Sequence, residues 1–147
     1  MKVFIDYAEL QTLAMSIAGQ EVQFAAVDEQ TIKVTARAKV KIPLLGEVVK
    51  PISVEVTVDS IDGTDVYLKY SGGLGVDLII NGILLYTSHN SDSKIVEQTE
   101  GNGMVIHLSA IEQARKVLDL IELTNITFLE SAVSFDGTVK IDAISLQ

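Results

Sequence analysis

The chain has 147 residues, 20 acidic against 11 basic, a net charge of −9, and neither cysteine nor tryptophan. With 48 % hydrophobic residues it can bury a real core as a single domain over residues 1–147, while 5 % aromatics and the negative charge argue against base-stacking and phosphate-binding surfaces, so no nucleic-acid partner is expected. The missing cysteine removes disulfides, thiol nucleophiles and thiolate metal sites.

Met1-Lys2-Val3-Phe4-Ile5 begins like a secretory leader, but Asp6 and Glu9 interrupt it. No signal peptide is read, and a soluble, cytoplasmic chain is expected. Asp6 followed three positions on by Glu9 forms a capping box, so the Val3–Ile5 strand should run directly into a helix of about three turns. On that helix Leu10, Leu13, Ala14 and Ile17 fall on one face, and Gly19 stands where a left-handed C-cap belongs. Val22-Gln23-Phe24 then begins the strands.

From Ile32 to Ile42 the alternation is strict, with Lys33, Thr35, Arg37, Lys39 and Lys41 on the outward face, as in a half-buried antiparallel strand. Four of the eleven basic residues lie on that face. An anionic lipid or acidic partner would meet them there; a solvated face paired with Glu55 and neighbouring acids would look the same. Pro43-Leu44-Leu45-Gly46 breaks the pattern and Ile52–Asp59 resumes it with acidic outward residues, so opposite charges would support the register. Asp62-Gly63 marks a tight turn before Val66–Tyr70.

Leu74 to Tyr86 is the longest apolar stretch, about half of what spans a bilayer and interrupted by Asp77 and Asn81, so no transmembrane segment is expected. Two conformations fit it. Asn81-Gly82 between apolar runs is a hairpin signal, whereas the spacing of Asp77 and Asn81 leaves the rest of a helical circumference apolar, as in a helix covering a sheet. Either way the segment is the expected centre of the core or of an apolar ligand site. Ser88-His89-Asn90-Ser91-Asp92-Ser93 reads as an exposed loop.

The C-terminal part repeats the N-terminal part. Ile106–Ser109 followed by Glu112 matches Val3–Asp6 followed by Glu9, and predicts a second capping box and a helix carrying Ile111, Ala114, Leu118 and Ile121. Ile126-Thr127-Phe128 matches Val22-Gln23-Phe24, and Thr138–Ala143 matches Thr31–Ala36. Asp136-Gly137 is read as a turn between Val133–Phe135 and Val139–Ile141. The sequence thus predicts a β-α-β-β unit present twice around a middle section, although two convergent strand-helix-hairpin segments would look alike.

No catalytic motif emerges, and no catalytic residue, cofactor or metal ligand is assigned. His89 and His107 lack metal-ligand spacing, and His107, at an alternating strand position, reads as structural or solvent-facing. Asp59, Asp62 and Asp65 lack the spacing and distal Glu of a calcium loop, and Gly72-Gly73-Leu74-Gly75 lacks the residues of a phosphate cradle.

An antiparallel sheet leading through Ser71-Gly72-Gly73-Leu74-Gly75 into an apolar helix, then a returning strand Lys94-Ile95-Val96-Glu97 and the strand end Ile106-His107-Leu108-Ser109, resembles the tubular lipid-binding (TULIP-like) bacterial proteins of the YceB and YpmS kind, over roughly residues 47 to 144. The resemblance implies a curved sheet wrapped around helices with an apolar groove for lipid, and matches Leu78, Ile79, Ile83 and Leu84 to the helix in that groove. The expected fold is therefore α+β, a curved antiparallel sheet on two or three helices. The expected function is non-catalytic binding of an apolar or lipid-like ligand by Leu10, Leu13, Ile17, Leu78, Ile79, Ile83, Leu84 and Leu118. The same apolar surplus would instead serve a homodimeric interaction or scaffold protein.

Overall fold

The computed structural model describes residues 1–73, 75–89 and 94–140, with Val40 and His89 described by backbone alone. The elements follow the order β1 (Lys2–Asp6), α1 (Tyr7–Ala18), β2 (Val22–Ala26), β3 (Thr31–Ile42), β4 (Gly46–Asp62), β5 (Asp65–Gly72), α2 (Val76–His89), β6 (Val96–Thr99), β7 (Gly103–His107), α3 (Glu112–Leu118), β8 (Ile121–Phe128) and β9 (Ala132–Val139). The fold is α+β with every strand pair antiparallel. The strands divide between two open sheets, one of six in the order β2-β3-β4-β5-β7-β6 and one of three in the order β1-β9-β8.

The expected alternation of β3 holds in the large sheet, and one of the expected opposite-charge pairs forms across β3 and β4 within it. Ile32, Val34 and Ala36 stand opposite Val56, Val54 and Ile52 on the inner face, while Lys33 stands opposite Glu55 outside. The inner row continues through Leu68 and Tyr70 of β5 and Met104 of β7. One core cluster joins these residues to Leu123, Ile126 and Val133 of the small sheet and to Leu118 of α3. The Asp62-Gly63 turn between β4 and β5 is as read from sequence.

The β-α-β-β order at both ends is present, and the first strand of each unit is exchanged. β1 pairs with β9 of the C-terminal unit, and β7 lies in the sheet of the N-terminal hairpin β2-β3. With the inserted β4-β5 hairpin set aside, β2-β3-β7 repeats the lateral order β8-β9-β1.

At the first helix, Glu9 N–H donates to Asp6 Oδ1 at 2.7 Å and Asp6 N–H donates to Glu9 Oε1 at 3.4 Å, closing the capping box. Gly19 ends the helix in the left-handed region, φ +69°, as expected. The second capping box does not form. Leu108–Ala110 is a short 3-10 turn that delays α3 until Glu112, with Ile111 as an N-cap that makes no side-chain bond. The delay leaves Ser109 two positions ahead of the N-cap, out of place to cap the free helix amides, and α3 has seven residues, two turns.

Asp136-Gly137 is not a turn. β9 runs through it, and the chain reverses at 129–131, where Leu129 N–H donates to Ala132 O at 2.8 Å. Gly137 serves close approach: a Cβ there would sit 2.8 Å from the Glu122 carbonyl oxygen, beside the irregularity between Leu123 and Asn125 of β8. The match of Thr31–Ala36 to Thr138–Ala143 runs past this strand, and residues 141–143 lie outside the described residues.

Candidate functional site

Residues 76–89 are a helix, so the hairpin alternative for Leu74–Tyr86 is overruled. The reason is tertiary. The inner face of the six-stranded sheet is a continuous apolar surface, and a helix can cover it while satisfying its own backbone hydrogen bonds. The glycines before the helix allow it to start hard against the sheet: a Cβ at Gly72 would collide with Val76 and the Ser53 carbonyl, and Gly75, at φ +92°, abuts Ile52. Val76, Ile79, Ile80 and Thr87 are buried, and Thr87 returns its hydroxyl to Ile83 O at 2.9 Å. Asp77, Leu78, Asn81 and Leu85 face outward.

Between the C-terminal turns of α2 and β6 lies a half-open groove of about 340 Å³, lined by Leu84, Thr87, Ser88, Lys94, Val96, Glu97 and Gln98. Leu84 of α2 and Val96 of β6 supply its apolar lining. Gln98 and Lys94 supply polar groups, with Gln98 Nε2 donating to Tyr70 Oη at 2.9 Å. The arrangement suits a molecule with an apolar body and a polar end.

The structure does not bring the eight expected ligand residues to one surface. Ile79 and Leu118 are core, at 4 % and 7 % exposure. Leu10, Ile83 and Leu84 are half-buried against that core, and Leu13 and Ile17 are half-buried on α1. Leu78 is 54 % exposed. Among the eight, Leu84 alone lines the groove. The remaining lining residues were not singled out from sequence as ligand contacts. Their signal was available in part, since Val96 and Gln98 alternate on the inner face and Thr87 follows Leu84 by three positions on the helix.

At the edge of the groove, sharing Glu97 with its lining, one titratable cluster ties β5, β6 and β7 together. His107 Nδ1 lies 2.7 Å from Asp65 Oδ1, its partner across the β5–β7 ladder, and Nε2 lies 3.6 Å from Glu97 Oε2. The Asp65 hydrogen bond raises the His107 pKa above the usual imidazole range, outweighing the opposite pull of partial burial. When protonated, the imidazole lies between two carboxylates as a tie between the strands. Among the described residues no group of three or more His, Cys, Asp or Glu side chains is placed to hold a metal ion.

No protein family, curated protein or solved structure matches this chain. No helix among the described residues is long and apolar enough to cross a membrane. His89 closes α2, and the rest of its expected exposed loop, residues 90–93, lies outside the described residues.

Proposed function

We propose that this chain is a non-catalytic binding protein that takes an apolar or lipid-like ligand into the groove between α2 and β6, as its resemblance to tubular lipid-binding proteins implies. The observation that supports it is the groove itself, about 340 Å³ with Leu84 of α2 and Val96 of β6 as its apolar lining and Lys94 and Gln98 at hand for a polar end. Magnitude selects the ligand class. Burying one methylene contributes about 0.8 kcal/mol, and association costs at least about 4 kcal/mol, so roughly five methylenes are needed before binding is favourable. An acyl chain meets that requirement and a short polar metabolite does not.

The test is calorimetric titration with lauric acid, together with native mass spectrometry and lipid extraction of the protein as purified. Saturable binding of laurate, weakened at least tenfold by Leu84→Trp, supports the reading. A protein that carries no amphiphile and takes up no laurate refutes it.

A second reading has its own observation. Leu78 and Leu85, two turns apart on α2, are 54 % and 60 % exposed, and this outward stripe fits a homodimer interface. Light scattering across a dilution series then shows a dimer, and a Leu78→Asp/Leu85→Asp variant is monomeric; a monomer at every concentration removes this reading.

A further inference from the structure

The β3–β4 hairpin is longer than the sheet that carries it. β2 accompanies β3 only from Ile32 to Ala36, and β5 accompanies β4 only from Val54 onward. Among the described residues, Arg37–Ile42 and Gly46–Pro51 therefore continue as a two-stranded arm paired only with itself. At its end Leu45 N–H donates to Ile42 O at 3.1 Å, closing a turn with Pro43 and Leu44 at the two central positions. Leu44 adopts φ +73°, in a turn that ordinarily places glycine or asparagine there. Its side chain is fully exposed, at 105 %, and Leu45 is 73 % exposed. A leucine held in the left-handed region and projected into water gains nothing for the fold, and strain of this kind marks functional positions.

Charge gives the occupant. The arm holds Arg37, Lys39, Lys41 and Lys50 against one acid, Glu47, on a chain whose net charge is −9. Lys33 stands opposite Glu55 within the sheet; on the arm Lys41 stands opposite Glu47, while Arg37, Lys39 and Lys50 stand opposite Pro51, Val49 and Ala38, so the arm keeps an excess of three cations. We propose that the arm docks this protein on an anionic lipid surface, with Leu44 and Leu45 entering the acyl boundary and the cations meeting the headgroups. The spacing fits. At roughly 3.4 Å per residue along a strand, Lys41 and Lys39 sit about 7–15 Å behind the tip, and an interfacial apolar element sinks about 5–10 Å. The acidic remainder is repelled by such a surface, so contact is confined to the arm.

A strand-adding protein partner fits less well. Pro51 removes a donor from the free edge of β4, and the lysines of β3 guard the other edge, both of which oppose edge pairing. The inference does not depend on the groove, and either reading survives failure of the other.

The experiment is co-sedimentation of the full chain with vesicles of phosphatidylcholine, with or without phosphatidylglycerol. Binding is expected only to the anionic vesicles and falls as salt rises. Leu44→Gly/Leu45→Ser should lower partitioning about 100-fold through lost apolar burial. Lys39→Glu/Lys41→Glu should lower it by about the same factor. Leu44→Gly alone suits the turn, so its melting temperature should not fall, which separates lost docking from lost folding. The proposal is overturned if wild type ignores anionic vesicles at low salt, or if neither double variant changes binding. It is also overturned if wild type is a dimer that Leu44→Gly/Leu45→Ser dissociates, because the tip's occupant is then a second copy.

Discussion

Ile79 and Leu78 are neighbours on α2 with opposite fates, and replacing each by alanine measures the orientation of the helix on the sheet. Ile79 is 4 % exposed within the core cluster, so Ile79→Ala removes buried methyl groups and leaves a cavity, at a cost of about 2–5 kcal/mol. Leu78 is 54 % exposed, so about half of its apolar area is already in water, and Leu78→Ala should cost less than about 1 kcal/mol, partly offset by the higher helix propensity of alanine. For a chain of this size each kcal/mol moves the melting temperature by about 2–4 °C, which puts the Ile79→Ala shift at roughly 10 °C and the Leu78→Ala shift at under about 4 °C. Urea and thermal unfolding followed by far-ultraviolet circular dichroism read both directly. Equal losses at the two positions would refute the reasoning, since either α2 would be rotated on the sheet or its outer face would be covered.

The two capping boxes read from sequence should separate by mutation. Asp6→Ala is expected to lower unfolding free energy by about 1 kcal/mol, whereas Ser109→Ala, at a residue that caps no helix, should leave the urea midpoint within experimental scatter. The His107 tie makes stability depend on pH. Because its folded-state pKa is raised, its contribution is fully present below the ordinary imidazole value of about 6.5 and is lost as pH rises through the raised value. The urea midpoint of wild type should therefore fall across that window relative to His107→Gln; parallel profiles for the two proteins would show that the tie contributes nothing.

Much of the fold was legible because its signals are local. The alternation of Ile32 to Ile42 shows which side chains turn inward whatever strand lies beside them, and Asp6 with Glu9 starts a helix by bonds within one turn. Local signals failed where a longer-range contact outbid them. Asp136-Gly137 has turn chemistry, but Gly137 is needed where two strands approach closely. Ser109 has cap chemistry, but the 3-10 turn shifts the helix away from it. The candidate site was less legible than the fold. Apolar residues that line a groove and those that fill a core look alike in sequence, and of eight residues chosen on that basis Leu84 alone reached the groove.

By itself, the sequence determined the alternation of β3, the α+β class and the capped first helix, and it showed the likeness of the strand-helix-hairpin segments at the two ends. Only the tertiary structure decided that β1 joins β9 while β7 joins the other sheet, that residues 76–89 are a helix despite Asn81-Gly82, and that Arg37–Pro51 runs on past the flanking strands as a two-stranded arm. The physical reason is common to all three. Periodicity is set by steric and hydrogen-bonding preferences within a few residues, whereas partner choice and exposure depend on which apolar faces, distant in sequence, remain to be covered once the chain has collapsed.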